Sequence, residues 1–297
     1  MQQFHWQERF NIGVEVVDEA HRQLFSIVEK ILELYIQKHE DKFACVEGIK
    51  YFKAYAIRHF AEEEAYMREI GYDGYLPHKR LHDRMKREIL PSLERELYAS
   101  DFSTEAVQRF IGVCTGWLTG HIVIEDRAIT GKTALSAGPL RLDDERSVIR
   151  AVILYPLREM FGTEVEFVGK FSKEDAIVDA QYYELRYRSQ EGQNLCFILI
   201  IGERLLLRAA SLMFGMDFYT KNEIVRFAMQ EIVQNLMQRA AASFGQDPDH
   251  YQFQGDGFLE REAFGQSVRE HMPRYSLLFR VRQDSFALCI QQRPAAA

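Results

Sequence analysis

Apolar residues recur at steps of three and four through most of residues 1–132, the period of helices that bury one stripe against a core. Leu24, Ile27, Val28, Ile31 and Tyr35 form one stripe, and Ile49, Phe52, Ala56, His59, Glu63, Tyr66 and Ile70 form a second. His78, His82, Met85, Ile89 and Leu93 form a third, and Val107, Phe110, Cys114, Trp117 and His121 a fourth. Four such helices predict an all-α bundle. Between Thr130 and Glu145 the pattern loosens into a small-residue stretch containing Gly and Pro, read as a linker over 133–145.

Beyond the linker the period changes. A helix is expected over 144–161, kinked at Pro156. Val165–Val168, Val178–Arg188 and Leu195–Ile201 read as strands, the second alternating and the third a continuous apolar run suited to a buried position. Helices are expected over 203–214 and 221–244, then three strands near 251–260, 275–282 and 285–291. On the longer helix Val225, Met229, Ile232 and Leu236 form the expected buried face, with Glu231 and Gln234 projecting from the opposite side. The fold class is therefore multidomain: a helical bundle (1–132), then an α+β domain (146–292) with a mostly antiparallel sheet and long helices, and a short tail (293–297).

Composition narrows the function classes. The 297 residues predict about two domains, and 47% hydrophobic with 27% charged residues is ordinary for a soluble globular chain. No apolar run approaches the roughly 20 residues that span a bilayer, and the N-terminus lacks the basic-then-apolar layout of a signal peptide, so a cytoplasmic location is expected. A formal charge of −7 without a Lys/Arg cluster argues against nucleic acid as a partner. Cys45, Cys114, Cys196 and Cys289 are scattered, so free buried thiols are expected.

The candidate chemistry lies on the bundle stripes themselves. His21, His59-x₃-Glu63, His78-x₃-His82 and His121-x₄-Asp126 place five histidines and two carboxylates on or beside inward positions. Burying so many polar groups is costly without compensation, and a metal supplies it. Seven donors exceed one tetrahedral zinc site and suit two ions of higher coordination, iron or manganese by the imidazole–carboxylate mixture. A step of five turns an α-helix by about 500°, so His121 and Asp126 are expected to reach different sides of the site. His39 reads as a solvated loop residue, and His5, His250 and His271 have no partner at ligand spacing. A histidine-rich site is better suited to reversible ligand binding than to oxidative activation.

These residues resemble the hemerythrin family, in particular its bacterial members. The resemblance spans about residues 1–132 and rests on Trp6, Phe10, Ile12-Gly13, Asp18-x₂-His21, His59-Phe60-x-Glu62-Glu63, His78-x₃-His82 and Trp117-x₃-His121-x₄-Asp126. It implies an up-down-up-down four-helix bundle holding two iron ions with an oxo or hydroxo bridge. By the same resemblance His78, His82 and His121 would hold one iron, His21 and His59 the other, and Glu63 and Asp126 would bridge them. Dioxygen would bind at the iron with two histidines, nitric oxide could compete, and Trp117 and Leu118 would line the ligand pocket.

Residues of about 146–292 resemble the CheX/CheC type of chemotaxis phosphatase through the order of elements, the Arg-Ala-Ala-Ser-Leu-Met-Phe-Gly helix end and Gln230-Glu231-Ile232-Val233-Gln234. In that family a Glu-x₂-Asn pair acts on a phosphorylated response-regulator receiver domain. Here the acid is Glu231 but the amide is Gln234, a departure that leaves hydrolysis open and is equally compatible with binding alone; pairing into a homodimer is also expected from the resemblance. The chain is thus expected to be a sensor of oxygen, redox state or nitric oxide with a CheX-like output. The alternatives are an oxygen or iron storage and delivery protein with a non-catalytic dimerisation domain, and a di-iron enzyme that scavenges nitric oxide or peroxide.

Overall fold

A computed structural model describes residues 6–37, 42–131, 153–154, 157–158, 165–172, 177–242, 244 and 250–293. They fall into two compact units, one of residues 1–136 with 213–232, the other of 137–212 with 233–297.

The first unit contains α1 (Glu15–Gln37), α2 (Lys42–Glu69), α3 (Tyr75–Arg84), α4 (Leu90–Ala99), α5 (Thr104–His121) and the short α6 (Arg127–Ile129). A π-helical turn, Met85–Ile89, joins α3 to α4, and a second, Ile122–Asp126, joins α5 to α6, so α1 to α6 make four helical rods. The rods close a ring of neighbours: α1 against α2 and α5, α2 against α3, and α4 against α5. Entry into α1 is set by Asp18, whose carboxylate accepts from the backbone N–H of Ile12 at 2.7 Å and of Gly13 at 2.9 Å. Gly13 has φ of 90°, which favours a residue without Cβ.

The expected stripes are buried from Leu24 to Ile31 and from Ile49 to Glu63. Ile70 departs from expectation at 46% exposure: α2 ends at Glu69, so Ile70 lies beyond the face the helix buries. The side chain of Tyr35, His5, His39 and most of the helix expected over 144–161 lie outside the described residues, although 153–154 and 157–158 are helical.

The second unit is built on a six-stranded antiparallel sheet in the order β1-β5-β6-β3-β2-β4. Its strands are β1 (Val165–Lys170), β2 (Ala180–Ser189), β3 (Asn194–Gly202), β4 (Tyr251–Leu259), β5 (Tyr275–Val281) and β6 (Asp284–Arg293). The continuous apolar run becomes β3, flanked by β6 and β2 and buried from Leu195 to Gly202. The helices are α7 (Glu203–Phe214), α8 (Glu223–Ala242) and α9 (Arg261–Glu270). No helix was expected at α9, whose apolar content is low; Phe264 nonetheless stacks on Tyr182 of β2 with ring centroids 4.6 Å apart, covering a cluster that includes Cys196, Ile198, Leu278 and Cys289. The first of the two units also takes in α8 up to Ile232. There α8 is buried on a second face, Ile224, Phe227 and Ala228, so the expected single buried stripe is corrected to two.

Candidate metal centre

Each helical rod delivers part of one buried cluster. His21 comes from α1, His59 and Glu63 from α2, His78 and His82 from α3, His121 from the end of α5, and Asp126 from the π turn beyond it. All seven are at most 3% exposed. Their ligand-type atoms form two groups, Glu63 with His78, His82 and His121, and His21 with His59 and Glu63. Glu63 belongs to both. Asp126 also reaches across, with Oδ2 3.3 Å from His21 Nε2 and Oδ1 3.3 Å from His78 Nε2 and 3.0 Å from His121 Nε2.

That last distance corrects the expectation that His121 and Asp126 reach different sides. The segment between them is π-helical, and the backbone N–H of Arg127 bonds to the carbonyl of Ile122, five residues back. In this geometry a step of five is close to one turn, so the two side chains share a face.

The cluster's polar atoms are poorly satisfied by one another. Both oxygens of Glu63 and Asp126, both ring nitrogens of His21 and His78, and Nε2 of His59 are buried without a hydrogen bond. The Nε2 atoms of His82 and His121 face each other at 3.0 Å, which calls for a proton or a cation between two lone pairs. Buried unsatisfied groups cost about 1–3 kcal/mol each, and bound cations would satisfy these donors together. The donor set therefore fits a metal pair, with Glu63 and Asp126 placed to serve both halves.

In the metal-free protein the cluster divides its charges unevenly. Burial, aided by His21, pushes His59 down to about 3. Burial also opposes a charge on His78, but Glu63 and Asp126 outweigh it and raise the group to about 9. Burial opposes ionisation of Glu63, yet the imidazoles of His78 and His82 hold it well below the usual carboxylate range; Asp126 is likewise depressed, against burial and Glu63, by His121 and His21.

Aromatic rings back the imidazoles. His82 stacks on Phe60 and His121 on Trp117, each with centroids 4.3 Å apart, and Trp6 lies 6.2 Å from His21. Leu118 is buried beside Trp117 in sequence. Sequence reasoning missed Glu64, whose Oε1 lies 3.2 Å from His82 Nδ1; the signal available was a third acid in the run Glu62-Glu63-Glu64, displaced about 100° around the helix. Of the residues expected to act on a receiver, Glu231 and Gln234 are both half-buried. Glu231 lines a cavity of about 450 Å³ with Arg84, Arg87, Arg95 and Arg109.

Residues 12–132 match the family model described as the Hemerythrin HHE cation binding domain. The same region is 33% identical over 130 residues to the bacteriohemerythrin of Clostridium acetobutylicum, covering 42% of this chain and 96% of that protein. The chain belongs to the hemerythrin family. The hemerythrin region is also 31% identical over 122 residues to bacteriohemerythrin of Pseudomonas aeruginosa (41% and 75% covered) and 28% identical over 127 residues to myohemerythrin of Sipunculus nudus (43% and 91% covered). Beyond this hemerythrin region, the chain is structurally similar to chemotaxis protein CheX from Vibrio vulnificus, with a TM-score of 0.37 and 17% identity over 49% of this chain and 96% of that one. A CheC-like superfamily protein from Shewanella gives a TM-score of 0.39 and 10% identity over 50% and 97%.

Proposed function

We propose that the chain is a cytoplasmic sensor in which a hemerythrin di-iron centre reads dioxygen, redox state or nitric oxide and biases a CheX-like output. The observation that carries this is the convergence of two buried donor groups that share Glu63 and are spanned by Asp126. His78, His82 and His121 would hold one iron, His21 and His59 the other, and the two carboxylates would bridge. Bound iron would supply reversible ligand binding, on the side with fewer histidines. The chain's own residues supply a buried, preformed donor cluster: Phe60 stacks on His82 and Trp117 on His121, and the imidazoles are already buried before metal arrives.

Support for signalling, as distinct from storage, comes from α5 and α8. The helix that ends in His121 carries Gly112 and Gly116, and a Cβ at Gly116 would lie 2.3 Å from the carbonyl oxygen of Ala228 on α8. Three residues beyond Ala228 comes Glu231, and then Gln234. Ligand binding alters an output only through contacts that differ between two states, and a helix packed this closely on the His121 helix is a route for such a difference. Gln234 in place of the family's Asn favours binding of a phosphorylated receiver over its hydrolysis.

Two measurements test the reading. Anaerobically reduced protein exposed to air should show two irons per chain and a new charge-transfer absorption band that reverses on deoxygenation; one iron or none, without a band, overturns it. Affinity for a phosphorylated receiver domain should then differ between deoxygenated, oxygenated and metal-free protein. Equal affinities in all three would leave a storage or delivery protein instead.

A further inference from the structure

His82 is held on three sides. Its Nε2 lies 3.2 Å from Glu63 Oε2 and 3.0 Å from His121 Nε2, its ring lies on Phe60 at an interplanar angle of 14°, and its Nδ1 lies 3.2 Å from Glu64 Oε1. Glu64 is itself only 6% exposed. The same Oε1 accepts from Lys86 Nζ at 3.3 Å, and Lys86 also pairs with Asp83 at 3.2 Å. An ionised carboxylate only accepts hydrogen bonds. Glu64 therefore accepts a hydrogen bond from Nδ1, and when Nε2, which faces Glu63 and His121, serves as a metal ligand, the one remaining ring proton is that on Nδ1.

We propose that Glu64 is a positioning residue for the metal pair: it fixes the Nδ1–H tautomer of His82, and the charge it shares with Lys86 sets how strongly Nε2 donates. This rests on the reading of the cluster as a metal centre. Consecutive acids on α2 thus divide the work. Glu63 faces the cluster, while Glu64, about 100° further round the helix, stands behind one of the imidazoles. A carboxylate behind a ligating histidine raises its basicity, and Lys86 counters part of that effect.

The test uses the full-length chain with Glu64→Gln, Glu64→Leu and Lys86→Met. In metal-free protein, ¹⁵N NMR should find Nδ1 of His82 protonated in the wild type and in Glu64→Gln, whose amide oxygen still accepts, and the proton shifted to Nε2, which faces Glu63, in Glu64→Leu. Cobalt(II) affinity should fall about 10–100-fold in Glu64→Leu and less in Glu64→Gln, which is close enough in shape to keep the fold. The reduction potential of the iron-loaded protein should rise in Glu64→Gln and fall in Lys86→Met, opposite shifts that a packing defect would not produce. An unprotonated Nδ1 in the wild type, an Nδ1 as fully protonated in Glu64→Leu as in the wild type, or potentials that move the same way overturns the proposal. If the wild type takes up no metal pair, the functional reading fails instead, and the NMR arm still decides the role of Glu64.

Discussion

His78 and His59 sit in one cluster and are driven in opposite directions by it. His59, at about 3 when metal-free, faces mainly burial and another imidazole, whereas His78, at about 9, faces two carboxylates. Against an ordinary value of 6.5, the folded His59 takes up its proton less readily than the unfolded chain, so its contribution to stability is lost as pH falls from 6.5 towards 3. His78 has the opposite sign: its contribution is complete below 6.5 and is lost as pH rises through 9. Metal-free protein should therefore show a denaturation midpoint that declines on both sides of about pH 6.5. Ligation needs a neutral imidazole, so metal uptake at pH 7 should release the His78 proton, and apparent affinity should climb with pH until about 9. A pH-indicator dye during titration with cobalt(II) checks the release. Asp126→Ala removes the oxygens that approach His21, His78 and His121, and it should reduce metal content from two ions per chain to one or fewer.

At the scale of elements, helix geometry made the histidine series readable and also misled at one step. Repeats of three and four placed His59, Glu63, His78, His82 and His121 on inward faces because the buried stripe of a regular helix is a local property. The step of five to Asp126 resisted the same logic, since the π turn over Ile122–Asp126 is not written in any single residue type. The glycines of α5 carry a related lesson. Gly112 and Gly116 lie four apart on one face, yet only the fold reveals that the backbone of α8 occupies the space their side chains would fill. Gly116→Leu should force the helices apart and cost roughly 1–3 kcal/mol or more, seen as a lower urea midpoint. Gly265 in α9 is the contrast: a Cβ there would meet nothing closer than Arg269 at 3.6 Å. Gly265→Ala should accordingly stabilise the protein by about 0.5–1 kcal/mol in the same assay.

For the whole molecule, metal binding and folding of the first unit are linked. The cluster assembles from four rods that only the folded state brings together, so metal bound there adds RT ln(1 + [L]/Kd), about 3–4 kcal/mol at free metal 100–1,000 times Kd. Chelation should lower the thermal midpoint followed by helical circular dichroism, and readdition of metal should restore it. No described helix is long and apolar enough to cross a membrane. By itself the sequence determined the helix and strand periods, the antiparallel-type strand series, and which seven side chains could meet, because periodicity and side-chain chemistry are properties of short stretches. Only the tertiary structure decided that Asp126 spans the cluster through a π turn, that Glu64 stands behind His82, that α9 exists at all, and that α8 is buried on two faces. Each of these depends on what a distant segment places against the residue, and contact between distant segments leaves no period in the chain.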